Sequence, residues 1–302
     1  MEALQLRPEA EHGQQFPLLV PWEYVARMQM GNPQDPLLMQ VLARRDEDEF
    51  QPGFVADPVG DQAAEQLPGL LQKYAGRALL VTTGACAVHC RYCFRRQYPY
   101  ASVPKSPSAW QPAIDRIAAD PSLNEVILSG GDPLMLSDAS LTWLVEQLNR
   151  IPHITRLRIH TRVPVVIPQR VCPELMAWVA TSRMQLIWVT HINHPQEMNL
   201  ELQSALHRLH ASGGLVLNQA VLLRGINDSV EVLHRLSDCL LAARVIPYYL
   251  HQLDRIQGAA HFEVPIDEGR KILADLRARL SGFGVPKYVA EVAGDLSKRP
   301  LQ

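Results

Sequence analysis

Ala78-Leu-Leu-Val-Thr-Thr83 runs through Gly84-Ala85 into Cys86-Ala-Val-His89-Cys90-Arg-Tyr92-Cys93, so an apolar, β-branched run is followed at once by three thiols. A run of this kind, bounded by glycine, reads as a buried strand of a parallel sheet. Five more follow, at 124–129, 155–160, 185–190, 215–221 and 245–249. They recur about every 30 residues, the length of one strand–helix unit. Helical spacing fills the intervals. Ser108 is expected to cap the helix holding Trp110, Ile114 and Ile117, Ser137 to cap 141–148, and Ser229 to cap 232–243, while Pro173 suits the first turn before 175–179. Leu202, Leu206 and Leu209 share one face of the segment 200–211, and Gly213 follows where a left-handed residue is wanted. Strand and helix alternate throughout. Such alternation gives an α/β fold, as an open doubly wound sheet or as a barrel, and periodicity does not separate the two.

The 302 residues are 47% hydrophobic and 20% charged, enough for a large core and unlike a disordered chain or a small stapled scaffold. Twenty-nine Lys and Arg against 31 Asp and Glu leave a net charge of −2, which supplies no electrostatic footprint for nucleic acid or an anionic membrane surface. Residues 1–11 hold three acids and no apolar run, so no secretory leader is expected, and no apolar stretch reaches the roughly 18 residues of a membrane span. The expected location is the cytoplasm. Five cysteines, three clustered and Cys172 and Cys239 isolated among apolar neighbours, do not form a disulfide framework. The isolated two read as buried small hydrophobes.

Three parts are expected. Residues 1–75 form an N-terminal helical extension, with helices at 21–30 and 36–45 and a Pro/Gly-punctuated stretch at 51–69. Residues 76–255 hold the six strand–helix units. Residues 256–302 add a loop, an amphipathic helix at 267–280 and an irregular tail.

In parallel α/β folds ligands gather at the carboxyl ends of the strands, and here those ends are polar. In order they carry the cysteines; Gly130-Gly131-Asp132-Pro133; Thr161-Arg162; His191, Asn193 and His194; Asn218-Gln219, leading to Arg224, Asn227 and Asp228; then His251 and Asp254. Taken singly each has a plainer explanation: a turn for Gly-Gly-Asp-Pro, a structural histidine for His191, a surface pair for Arg162 and Asp254. Their common placement at one rim does not. The thiols point to a soft metal centre, iron–sulfur or zinc, or else to coincidence. Structural zinc wants four ligands, only three thiols are at hand, and His89 falls between them; three leave one iron of a cluster open.

Cys86-Ala-Val-His-Cys90-Arg-Tyr-Cys93 resembles the cluster motif of the radical S-adenosylmethionine enzymes, and Ser129-Gly-Gly-Asp-Pro133 their glycine-rich motif. The fold this implies is a partial (β/α)6 barrel. Cys93-Phe-Arg95-Arg96, the segments 162–170, 191–195 and 218–228, and Pro247-Tyr-Tyr-Leu250 are similar to lysine 2,3-aminomutases, from about Pro68 to Pro300. Gly31-Asn-Pro, Asp35-Pro-Leu-Leu and Tyr98-Pro-Tyr100 resemble the short bacterial members that make β-lysine for elongation factor P.

The resemblance implies a 4Fe–4S cluster on Cys86, Cys90 and Cys93, whose open iron is chelated by S-adenosylmethionine. Gly130, Gly131 and Asp132 would line its methionine end, the backbone of Tyr92 would meet adenine, and His191 and Gln219 would contact the cofactor. Pyridoxal phosphate would sit as a Schiff base on Lys298, its phosphate held by Arg77; read alone, these are a surface lysine and a strand-edge arginine. Arg95 would pair with the α-carboxylate of L-lysine, and Asp254 and Glu291 would clamp its distal ammonium, Glu291 standing where the longer aminomutases carry aspartate. The implied reaction moves nitrogen from Cα to Cβ, giving (R)-β-lysine, with an external electron donor to the cluster. The link to elongation factor P and its lysyl ligase needs no direct contact, because the product diffuses. A homo-oligomer is compatible with it. On the residues alone, a radical enzyme without pyridoxal chemistry and a zinc-bearing binding module also stand.

Overall fold

A computed structural model describes Leu4 and residues 16–301, so the stretch 1–11, where no secretory leader is expected, lies, apart from Leu4, outside the described residues. Six parallel strands carry the repeat: β3 (Arg77–Thr83), β4 (Glu125–Gly130), β5 (Arg156–Thr161), β6 (Gln185–Thr190), β7 (Leu215–Val221) and β8 (Ile246–His251). Before them stand the short antiparallel β1 (Glu65–Leu67) and β2 (Leu70–Leu71). After them come β9 (Lys287–Ala290), parallel to β8, and β10 (Arg299–Pro300), antiparallel to β9. All ten lie in one sheet in the order of the sequence. That order decides between the two architectures, since a doubly wound sheet reverses direction partway along and this one never does. Each crossover advances one strand the same way, and the sheet curls.

The long helices are α3 (Pro107–Ala118), α4 (Asp138–Asn149), α6 (Pro173–Thr181), α7 (Leu200–Ala211), α8 (Val230–Ala242) and α9 (Ile266–Arg277), with the single turn α5 (Val163–Val166) directly after β5. The caps at Ser137 and Ser229 and the N1 proline at 173 form as expected, whereas α3 is capped by Ser106, whose hydroxyl also contacts Ser108. The helices cover one face of the sheet, where Ile114, Leu144, Trp178 and Leu206 share a core with Leu157 and Ile159 of β5. On the other face β5 alternates Arg156, Arg158 and His160 with those leucine and isoleucine side chains. Parallel sheets ordinarily bury apolar groups on both faces. A charged inner face marks the concave side as a place for polar ligands.

The N-terminal extension departs from expectation. Its two helices are single turns, α1 (Trp22–Val25) and α2 (Pro36–Met39). The first gives way after Val25 to tighter turns, Arg27 N to Tyr24 O and Met28 N to Val25 O, and Gln29 N then turns to the Asp35 carboxylate at 2.9 Å; after Met39 the Gln40 carbonyl accepts the Arg91 N–H at 2.8 Å. The extension works as a strap over the cysteine loop. Leu19 O accepts from His89 N at 2.9 Å, Pro17 O meets His89 Nδ1 at 2.7 Å, and the His89 ring stacks on Phe16. Buried Glu47 takes Arg91 Nε at 2.8 Å and Arg96 Nη2 at 2.9 Å, one arginine from within the loop and one from just beyond it. The tail also differs, since β10 and buried Leu301 dock on β9 and its core, with Leu301 N bonded to Tyr288 O at 3.0 Å. Cys172 and Cys239 are half-buried rather than fully enclosed. Among the described residues no helix is long and apolar enough to cross a membrane.

Glu47→Ala would strand the fully buried Arg91 guanidinium, a class of change that costs about 3–5 kcal/mol. We expect a loss of that size in urea unfolding, and a loss below about 1 kcal/mol would remove Glu47 from the structural account.

Candidate active site

The cysteine loop leaves β3 and is seated on the glycine turn that leaves β4. Gly131 N donates to Thr83 O at 2.7 Å and Asp132 N to Ala85 O at 2.8 Å. Both glycines are required by this approach. A Cβ at Gly131 would lie 2.3 Å from Ala85 O, and Gly130 combines φ +117° with a Cβ position 2.8 Å from Thr83 O. The Asp132 carboxylate accepts from Leu134 N, Thr161 Oγ1, Arg162 N and Val163 N, at 2.6 to 3.1 Å. Burial nonetheless pushes its carboxyl above the ordinary range, against the pull of those donors.

Cys86, Cys90 and Cys93 are half-buried on this loop. Burial first, and then the neighbouring sulfurs, push the Cys93 thiol up to about 11 and Cys86 upward as well. Arg162 Nη1 donates to Cys90 Sγ at 2.7 Å. The donor set suits an iron–sulfur cluster: three thiols close enough to feel one another, with a cationic donor already on one sulfur. Among the described residues no three His, Cys, Asp or Glu side chains are grouped to hold a single metal ion. A cluster takes each thiolate at a different iron, so it asks for sulfurs spread around a loop rather than meeting at one point. Tyr92 is buried, its hydroxyl accepting from Asn193 Nδ2 at 2.7 Å.

A second group forms where the two ends of the curled sheet approach one another. Lys298 Nζ pairs with Glu291 Oε2, while Glu291 Oε1 accepts from Tyr74 OH at 2.9 Å and lies 3.4 Å from Lys73 Nζ. Lys73 continues to Asp61 Oδ1 at 2.6 Å, and Asp61 Oδ2 takes Arg95 Nε at 2.6 Å. Arg95 Nη1 also donates to Ser129 Oγ at 3.0 Å. Burial favours the neutral acids, but Arg95 and Lys73 hold Asp61 below the usual carboxylate range and Lys298 and Lys73 do the same for Glu291. Asp254 behaves oppositely. Burial, helped by Glu291 and Asp61, pushes it up to about 7 against the opposing charges of Lys298 and Lys73.

The structure therefore brings Arg95, Asp254, Glu291 and Lys298 into one electrostatic neighbourhood. Arg77 joins it through Tyr74, over whose ring its guanidinium lies at 4.7 Å, and its buried Nε has no hydrogen-bond partner. It is no strand-edge surface arginine. Nor are Arg162 and Asp254 a surface pair: Arg162 is buried against Cys90 and Asp254 faces the lysines. His191 Nε2 and Gln219 Nε2 stand 3.0 Å apart, and burial pushes His191 down to about 3, so its neutral ring accepts the amide proton. His160 and His251 are also driven well down by burial, each with an unpartnered buried Nε2, and both feel Lys298. Asp61, Lys73, Tyr74 and His160 were not foreseen. Asp61 sits in an irregular stretch with no motif around it, whereas Lys73-Tyr74, just ahead of Arg77, was the visible hint.

The sequence profile of the radical SAM superfamily matches residues 80–236. An L-lysine 2,3-aminomutase of Escherichia coli (strain K12) is 50% identical over 286 residues, covering 95% of this chain and 83% of the relative. The L-lysine 2,3-aminomutase of Haemophilus influenzae is 46% identical, covering 94% of this chain and 84% of the relative. That of Clostridium subterminale is 36% identical, covering 92% and 67%. A radical SAM methyltransferase from Sphaerobacter thermophilus superposes with a TM-score of 0.51 at 18% identity over 73% of this chain and 68% of its own, a likeness of fold.

Asp254 sets a pH dependence. Its value lies above the usual 3.8, so the retained proton favours the fold at low pH, and that contribution is lost as pH rises from about 4 to about 7. Asp254→Asn removes the titration. Its stability relative to the parent is expected to improve by on the order of 2 kcal/mol between pH 5 and pH 8 in urea titrations. Equal differences at the two pH values would refute the assignment.

Proposed function

We propose, from the premise that the chain belongs to the lysine 2,3-aminomutase family of radical S-adenosylmethionine enzymes, that it converts L-lysine to (R)-β-lysine using a 4Fe–4S cluster, S-adenosylmethionine and pyridoxal phosphate. The observation that carries the substrate is Asp254, a shielded acid pushed up to about 7 beside Glu291 and Asp61. An arriving primary ammonium would draw its proton off and be held by the carboxylate, and a neutral side chain would leave that acid unpaired. Arg95 orients the substrate carboxylate with a planar fork, while Asp61 fixes the guanidinium from behind.

When bound, S-adenosylmethionine on the reduced cluster supplies a carbon radical, and pyridoxal phosphate supplies the π-system through which the migrating nitrogen passes. Cys86, Cys90 and Cys93 hold the cluster. Gly130, Gly131, Asp132, Tyr92, His191 and Gln219 would flank the S-adenosylmethionine. Lys298 offers its amine, kept at the rim by Glu291, and Arg77 offers an open buried donor to the phosphate. Acid–base exchange is a minor part of the chain's work. Positioning and exclusion of water are its main contributions, and the neutral His160, His191 and His251 keep further charge off the inner face.

The division into an extension (1–75), the strand–helix body (76–255) and a C-terminal lid bearing Lys298 (256–302) belongs to the same proposal. So do a cytoplasmic location, an external electron donor and supply of β-lysine to the ligase that modifies elongation factor P. Anaerobic turnover with L-lysine, S-adenosylmethionine and reductant is expected to give β-lysine resolvable from α-lysine. Pyridoxal phosphate should add an imine absorbance that Lys298→Ala removes. A band surviving that substitution would overturn the lysine assignment, and stoichiometric zinc without iron would overturn the whole proposal.

A further inference from the structure

Behind Cys90 lies a buried polar network drawn from distant parts of the chain: Tyr24 and Gln40 of the extension, Tyr92 of the cysteine loop, Arg162 at the end of β5, and Asn193 and Glu197 beyond β6. Arg162 is its centre. Nη2 reaches Gln40 Oε1 at 2.6 Å, Tyr24 OH at 3.0 Å and Glu197 Oε1 at 3.3 Å, while Nη1 is left to Cys90 Sγ at 2.7 Å. The guanidinium also packs on the rings of Tyr24 and Tyr92, at 5.5 and 5.7 Å. Glu197 is held by Tyr24 OH at 3.2 Å and Gln40 Nε2 at 2.8 Å, and Asp132 pins the Arg162 backbone. Every partner of the cation is thus fixed.

A thiol sulfur is a weak acceptor, so a buried cationic N–H aimed at one is well matched only when the sulfur carries thiolate charge, as it does on iron. We infer that Arg162 is a positioning residue that tunes the cluster, its hydrogen bond to Cys90 stabilising the reduced state while Glu197 limits the effect. This rests on the cluster assignment made above. The cluster gains one electron from the external donor and no proton, so reduction adds one negative charge beside the guanidinium. A donor directed at a cluster sulfur favours the more negative state and raises the reduction potential. Glu197, within 3.3 Å of the same guanidinium, subtracts from that field.

The test is the midpoint potential of the reconstituted cluster, followed by electron paramagnetic resonance in the parent and in Arg162→Gln, Arg162→Lys and Glu197→Gln. Arg162→Gln is expected to make reduction about tenfold less favourable, a fall of about 59 mV for a one-electron couple. Arg162→Lys should fall by less, and Glu197→Gln should shift upward. Displacement in opposite directions is what a merely structural role would not produce. Assembled clusters titrating at one midpoint in all four proteins would overturn the inference and leave the cluster assignment intact; a parent that assembles no cluster would overturn both. If Arg162→Gln assembles no cluster, Arg162→Lys and Glu197→Gln decide, and unmoved midpoints in both overturn the inference.

Discussion

The carboxylate of Asp132 is the constraint on which the rim depends. One side chain accepts four hydrogen bonds, from its own turn and from the end of β5, and so locks two neighbouring strand ends together in a dry setting. The cysteine loop leans on that turn through Gly131 and Asp132 N–H groups, and Arg162 takes its direction from the same anchor. Glycine is needed at 130 and 131 because the loop's carbonyls pass where side chains would begin. The thiols, the turn and the guanidinium therefore form one mechanical unit.

Closure of the curled sheet and the proposed recognition of a substrate draw on the same charges. Lys73, Asp61, Glu291 and Lys298 bridge from the segment around β2 to the segment after β9. Buried charge is tolerated there because cations and anions alternate along the chain of contacts, and removal of any one leaves a neighbour uncompensated. Asp254 is the exception, an acid whose burial outweighs the pull of Lys298 and Lys73, with Glu291 and Asp61 close enough to oppose those cations.

The periodic parts of the molecule were legible. Six apolar runs, their helices and most caps lie within a residue or two of where pattern alone puts them, because each is fixed by local spacing and by burial on one face. The thiols and the glycine turn were legible for another reason: short-range spacing carries their chemistry. The extension was not, since its apolar residues are spaced for a helix but its backbone is diverted to bond the cysteine loop. β9 and β10 escaped notice because four and two residues carry no period. Asp61 carried no motif either, as only the curl of the sheet brings it to Arg95.

Lys298 hangs between β9 and a two-residue β10, whose hold is a short ladder with Ala290 and Val289, the Leu301 amide on Tyr288 and the Arg270 bond to the Leu301 carbonyl. So few bonds make this the kind of segment that opens locally, at a free energy well below that of the whole domain. Two stabilities then govern the protein, one for the sheet and its helices and a smaller one for the terminal clasp that presents the lysine. Conditions that leave the global fold untouched can still open that clasp, and exchange of the Leu301 amide would record it before any of the six parallel strands came apart.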